Sequence, residues 1–387
     1  MLAARLRVFY GMTALRTIIM VAAACAAVLC FKVYSAGRWL VTIRDARPRI
    51  ATTDFYGLQH VTVSQLRTKL SLQVGDTAPV GVQDQPDLFT RLGGLLFGVK
   101  TTKALESKLR EIPGVRDAAI AVVQGDDPRR CAVFVGISEN GAVPARRAFY
   151  GNAVLPEAVA GLYDRHGQAF ASAVANPSPD FDEDDSQGYS LFTDPAMRAL
   201  EERAIAFVQA PQNRAAALAV LRTSVDVQQR RSAAWLLSYG PDPQQTADAL
   251  LYALDDPDKD VRNTICRELA VIAEYGTSNQ ALKVRIAPGP FIQMLNSVIW
   301  TDRDKAMAVL DPLTAARDSD TLMQLKRGGL ASLDEMARWH ADPYARMAFT
   351  LIGRIAALAD ADIERTWDDG KAARERVILM ATAQSAR

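Results

Sequence analysis

The chain has 387 residues, 49% of them apolar and 23% charged, with 45 basic residues set against 44 acidic ones. At roughly 100–200 residues per domain this leaves room for two or three domains, and the balance excludes a disordered chain, which is poorer in apolar residues and further from neutrality. No nucleic-acid partner is expected, because no long basic block stands out, and three histidines and four cysteines leave little material for metal or nucleophile chemistry.

Arg5, Arg7 and Arg16 precede an unbroken apolar run over 17–31. A positive stretch followed by an apolar one of this length is the pattern of a secretory signal, and Ser35-Ala36-Gly37 offers small residues for cleavage. The run falls short of the about 20 residues of a typical membrane span, yet continuing through Lys32 to Tyr34 reaches the lower limit of about 17. A terminal lysine tolerates this because its head reaches the interface. Residues 1–37 therefore read as a signal peptide or, in preference, as an uncleaved single transmembrane helix. Leu29, standing where a small residue should precede Cys30, argues against a lipoprotein. Either reading exports the remaining chain, which is membrane-anchored and faces the periplasm or extracytoplasmic space, or is secreted if the signal is cleaved. Cys131 and Cys266 supply no disulfide framework and are expected as small buried hydrophobes.

Residues 50–140 alternate strand and helix signals. An extended segment ends at Val63, Ser64 is a good N-cap, and Leu66 and Leu70 share one helix face up to Gly75-Asp76. A second helix begins at Thr101 or Thr102, with Leu105 and Leu109 again four apart, and stops at Pro113-Gly114. Two β-rich runs, 115–123 and 131–138, flank the turn Gly125-Asp126-Asp127-Pro128. The predicted order is β-α-α-β-β, a small α+β domain. Tyr56-Gly57-Leu58, the helix leading to Gly75-Asp76, Ile112-Pro113-Gly114-Val115 and Val135-Gly136-Ile137-Ser138-Glu139 resemble a POTRA domain, the module of outer-membrane assembly proteins and of a bacterial division protein. The stretch 77–100, with Leu92-Gly93-Gly94-Leu95-Leu96-Phe97-Gly98, is longer and more apolar than the family's connection, and no barrel follows. The resemblance implies polypeptide binding by strand addition at a sheet edge. Cys131, Val133, Val135 and Ile137 are the candidate edge residues.

Residues 141–193 read as a linker, rich in Gly, Pro, Asn and Ser, with a short helix possible over 156–174. Its acidic loop places Asp180, Asp182 and Asp184 at alternate positions, weak cation candidates because hard cations take several oxygens. The EF-hand test fails, with Asp185 where glycine must turn and Leu191 where the bidentate Glu belongs. No cofactor is expected.

From 194 to 387 helix follows helix. Ala247, Leu250, Leu251 and Leu254 share a face, Asp255-Asp256-Pro257-Asp258 breaks the chain, and Val261, Ile265, Leu269 and Ile272 resume the pattern. Arg231 lines up with Arg262 in the preceding unit and Arg346 in the last, Pro312 should kink or shorten its helix, and 371–384 should cap the stack. Periods of about 20–50 residues built from helix pairs indicate an α-solenoid. The aspartate-rich turn followed by Val261-Arg262 resembles the HEAT repeat, which implies that Arg262 bonds Asp256 or Asp258 and that the array binds proteins. Trp235 and Trp339 are the candidate exposed anchors.

No G-x-S-x-G, H-E-x-x-H, C-x-x-C or Walker motif accompanies His60, His166 or His340. The expected function is a non-catalytic envelope scaffold, holding other proteins and tied to the membrane by its N-terminus. The alternatives are a cell-envelope lyase or hydrolase subunit using the loop carboxylates, and a purely structural spacer.

Overall fold

The computed structural model describes residues 47–81, 98–125, 127–139, 146–176 and 178–383, with residues 30, 32–36, 38, 41 and 42 before them. The run 17–31, Cys30 apart, and the apolar stretch 92–97 lie outside the described residues. Among those described, no helix is long and apolar enough to cross a membrane. The chain divides into two compact units, Met1–Asn140 and Gly141–Arg387.

The first unit follows the order β1 (Arg49–Tyr56), α1 (Val63–Leu70), α2 (Thr102–Arg110), β2 (Asp117–Gln124) and β3 (Arg130–Ser138). The N-cap of α1 is Thr62 rather than Ser64: Thr62 and Gln65 form a reciprocal capping box, which satisfies two backbone donors at once. Thr101 caps α2 through the Ala104 N–H, and Gly114, at φ 93°, makes the turn beyond Pro113.

The sheet order is β1-β3-β2, with β3 parallel to β1 and antiparallel to β2. This corrects the edge assignment. The crossover through two helices returns the chain beside β1, so β3 is bonded on both sides and has no open edge. Cys131, Val133, Val135 and Ile137 point instead into a core with Ile50, Leu66, Leu70, Leu105 and Leu109. The true edges are β1 and β2, and both are partly covered. Ile50 exchanges backbone hydrogen bonds with the 75–76 turn. On β2 the Ile120 N–H donates to Glu106 (3.0 Å), and the Ala118 carbonyl accepts from Arg110 (2.9 Å).

Glu139, at the end of β3, accepts from the N–H groups of Gln59 (2.7 Å), Val61 (3.0 Å) and His60 (2.9 Å). Burial alone would raise its carboxyl, but these bonds, with one from the His60 ring, outweigh it and hold the group at about 2. An unfolded glutamate titrates near about 4.3. The contribution is therefore complete above that value and is lost as the pH falls toward 2. Amide exchange of 59–61, corrected for intrinsic rates, is expected to rise steeply over this window. Glu139→Gln should raise it already at neutral pH, by about 2 kcal/mol of local opening, and remove the acid step.

The second unit opens with a segment that is not a loose linker. Residues 146–155 run extended along the turns of the helical stack. Arg146 reaches Asp302 (3.5 Å) and Arg147 reaches Asp255 (3.0 Å). Gly151 exchanges backbone bonds with Thr223 and Val225 (both 2.8 Å), and the Leu155 N–H donates to Gln229 (2.7 Å). A Cβ at Gly151 would stand 2.7 Å from the Thr223 carbonyl, so the close approach needs glycine. Then come α3 (Leu162–Ala175) and a two-residue ladder of β4 (Glu183–Asp184) with β5 (Leu191–Phe192).

Helices follow without interruption by strands: α4 (Pro195–Val208), α5 (Pro211–Thr223), α6 (Val227–Ser238), α7 (Pro243–Tyr252), α8 (Lys259–Ser278), α9 (Gly289–Met294), α10 (Trp300–Ala315), α11 (Ser319–Met336), α12 (Asp342–Ile355), α13 (Asp360–Asp368) and α14 (Lys371–Ala383). From α5 onward they pair, and the second helix of each pair packs on the next: α6 on α8, α8 on α10, α10 on α12, α12 on α14. This is a stack of helical repeats. Asp226, Asp242 and Asp258 cap α6, α7 and α8 by accepting from the next backbone N–H groups. Helix α10 runs on past Pro312 to Ala315, because near a helix end the proline removes only the partner of the Ala308 carbonyl.

A ladder of buried arginines ties the turns together. The fourth residue of α6, α8 and α10 is Arg230, Arg262 and Arg303. Each guanidinium binds a carbonyl six residues back: Ser224, Asp256 and Ser297 in turn. Each also reaches forward to a carboxylate: Arg230 to Asp256 (2.7 Å), Arg262 to Asp302 (2.8 Å) and Arg303 to Glu335 (3.1 Å). The expected alignment is thus off by one residue, Arg230 rather than Arg231 matching Arg262. The Arg262 side chain takes the Asp256 carbonyl oxygen, not its carboxylate. In α12 the fourth residue is Ala345, and Arg346 is surface-exposed and paired with Glu364.

Candidate functional site

Where α3, α4, α6, α8 and the β4–β5 hairpin meet, polar and aromatic side chains share one cluster, buried at His166, Glu201, Trp235, Tyr239 and Glu268 and part-exposed toward the hairpin. The spacing of Tyr163, His166 and Phe170 puts all three on one face of α3. Arg231, Trp235 and Tyr239, each four residues apart, stripe α6. Thr264 and Glu268 sit four apart on the buried side of α8, with Arg267 beside them.

The Tyr163 hydroxyl shares a hydrogen bond with Thr264 (3.1 Å). His166 Nε2 meets the Glu201 carboxylate of α4 at 2.8 Å, and its ring packs against Trp235, with centroids 5.1 Å apart. Glu201 is fully buried, and its second oxygen accepts the Phe192 N–H (3.1 Å) with Arg198 at 3.8 Å. The hairpin closes the cluster. Phe192 packs on Phe170 and, stacked, on Phe181; Tyr189 packs on Tyr239; and Glu183 pairs with Arg267 (3.3 Å).

Two groups here lie far from their ordinary titration range. Burial pushes the Glu268 carboxyl up to about 7; the neighbouring Arg267 and a hydrogen bond with Ser238 oppose the rise, while Glu183 and Glu201 add to it. Burial, reinforced by Glu268 and Glu201, lifts the Tyr239 phenol well above its usual value. Glu268 is therefore a buried proton-holding group with its charge change placed near neutrality.

The residues singled out from sequence fall in different places. Trp235 belongs to this cluster, but it is 3% exposed and packed, not a surface anchor. Trp339 is 6% exposed and likewise buried. Trp235 sits on the face of α6 turned to its neighbours, and Trp339 lies in the turn just beyond α11. Cys131, Val133, Val135 and Ile137 lie in the other unit's core. Cys131 and Cys266 are buried thiols without disulfide partners. Asp180, Asp182 and Asp184 are exposed on the hairpin. Asp182 accepts its neighbour's N–H from Glu183 (2.9 Å), Asp184 accepts from Ser186 (3.0 Å), and the Asp180 carbonyl accepts the Thr193 hydroxyl. This is the bonding of a turn. Among the described residues, no group of three or more His, Cys, Asp or Glu side chains is arranged to hold a metal ion.

Glu201, Glu268, Tyr239 and Arg267 were not predicted as site residues. One signal does point to them: Thr264 and Glu268 interrupt the apolar stripe Val261, Ile265, Leu269 and Ile272, and the aromatic face of α3 is more than a linker helix needs.

No family model matches this chain, and no curated protein matches it. Among solved structures it is similar to a designed armadillo repeat protein, YIII(Dq)4CqI, at 13% identity over 57% of this chain and 98% of that one, with a TM-score of 0.30. At that score the likeness carries no argument; the stack of helix pairs is read from this chain's own packing.

Proposed function

We propose that the chain is a non-catalytic scaffold that holds other proteins, exported from the cytoplasm and tethered by its N-terminus. The stack itself carries this reading. Successive second helices of each pair repeat one geometry, and the buried guanidiniums and carboxylates along the turns are consumed in joining neighbours, which leaves the outer helix faces for partners. The small unit supports it further: the order β1-α1-α2-β2-β3 with β3 central and parallel to β1 is compatible with a POTRA-like module, and the outer side of β2 beyond Ile120, with which no strand among the described residues pairs, is an edge for strand addition. The basic residues and apolar run before residue 32 support export. A hydrolase or lyase built on Asp182 and Asp184 is disfavoured, since both carboxylates bind their own loop.

The test is crosslinking and co-purification of the full chain from its native envelope, beside a version ending at Asn140. Because 146–193 folds with the helices, the cut belongs there and not at 194. Partners lost with 141–387 support the scaffold reading. A well-folded full chain that captures nothing overturns it.

A further inference from the structure

The hairpin over 178–193 covers the α6–α8 face but is weakly built into it. Its ladder is two residues long, and a short hairpin has little stability of its own. Its far end is fastened to α4, where the Phe192 N–H donates to Glu201 and its carbonyl accepts from Arg198 (3.0 Å). The remainder, 178–190, rests on side chains: Glu183 on Arg267, Tyr189 on Tyr239, and Gly188 against the Tyr275 ring. The Ser190 hydroxyl is buried there without a hydrogen-bond partner.

The covered face sets the buried Tyr239 and Glu268 beside the part-exposed Arg267 and Tyr275, and a buried carboxyl such as Glu268 is rare in a permanent core, where positions favour aliphatic side chains and seldom admit charge. Tyrosine, tryptophan and arginine are the residues enriched where one protein recognises another. The occupant is complementary to them: Glu183 pairs with Arg267, Tyr189 packs on Tyr239, and exposed Asp180, Asp182, Asp184 and Asp185 flank the arm's aromatics Phe181 and Tyr189.

We propose that the 178–190 arm is a detachable occupant of a recognition face on α6 and α8, and that this face accepts in its place an acidic, aromatic-bearing extended segment of a partner protein. The proposal rests on the scaffold reading and names the chemistry of its partner.

Two variants of the full chain release the arm by different routes. In Gly188→Ala the added methyl would stand 2.7 Å from the Tyr275 ring at a backbone φ of 81°, a left-handed conformation that alanine disfavours. In Glu183→Arg, a surface change that leaves the core intact, the new charge repels Arg267. The ligand is a fluorescein-labelled peptide with the sequence of 178–193, followed by anisotropy, with hydrogen exchange reporting the arm. Both variants should lose protection over 178–190 while α8 keeps its own. Each should bind the peptide at least tenfold more tightly than the parent, and adding Arg267→Glu should remove that gain. If Gly188→Ala fails to fold, Glu183→Arg carries the test alone. An arm that stays as protected as α8 in Glu183→Arg, or a released arm with no gain in peptide binding, overturns the proposal. Neither result touches the scaffold reading, which stands or falls on partners captured by the full chain; peptide binding with no captured partner would sink the scaffold and leave the displaceable arm.

Discussion

Asp302→Ala is expected to lower the stability of the helical unit by about 3–5 kcal/mol, the range for removing one partner of a buried ion pair. Asp302 is 1% exposed and takes two hydrogen bonds from Arg262, at 2.9 and 2.8 Å, and one from Ser297 at 2.8 Å. Arg146 approaches the same carboxylate. Without it, the Arg262 guanidinium, 2% exposed, keeps only the Asp256 and Pro257 carbonyls and has no countercharge. Urea unfolding followed by tryptophan emission measures the loss, because Trp235, Trp300, Trp339 and Trp367 all lie in this unit. The double variant Arg262→Met/Asp302→Leu should recover most of it, since an apolar pair of similar volume often matches a buried ion pair. A single-variant loss under about 1 kcal/mol, the range of exposed pairs, would show that the ladder does not hold the turns.

Glu268→Gln should have the opposite sign and a pH signature. Between the unfolded value near about 4.3 and the folded value of about 7, the folded chain binds a proton that the unfolded chain does not. Stability therefore falls as pH rises through that window and stays low above it. A shift of this size corresponds to roughly 3–4 kcal/mol. Glutamine keeps the shape and neutrality of the protonated acid. Parent and variant should coincide below about pH 4, differ by only about 1 kcal/mol at pH 5, and at pH 8 the variant should be the more stable by roughly 3–4 kcal/mol. Equal stability at both pH values would mean that the carboxylate is solvated after all. A gain at pH 8 would mark Glu268 as a residue kept at a cost in stability, as recognition sites often are.

What was legible in the sequence was local. Thr101, Pro113-Gly114 and the aspartate-rich turn 255–258 announce helix ends through bonds made within a few residues, and the β-α-α-β-β order and helical stack are legible from such signals. Strand order was not legible. Cys131 to Ser138 has the same alternation at an edge or in the middle, and only the return of the chain beside β1 decides. The segment 146–193 hides its packing for a related reason: its Gly, Pro and Asn are turn residues, and nothing local announces that Leu155, Leu162 and Phe192 are buried. The cluster around Glu268 was hidden because each member comes from a different element. A single polar residue in an apolar stripe does not announce whom it will meet.

The extended segment 146–155 has a consequence for synthesis. It leaves the ribosome ahead of every turn it binds, and the tie from Arg147 to Asp255 spans 108 positions. At about 5–20 residues per second, Arg147 waits on the order of ten seconds for its partner. Nearest-neighbour stacking would let the helix pairs assemble one after another as they emerge, and Gly151 and Leu155 can dock on the first pair, but the Arg146–Arg147 end of this strip can dock only after later pairs have done so. Arg146 and Arg147 are thus among the last residues of the unit to settle, and until then the turn carbonyl of Asp255 stands open to any extended chain that arrives first.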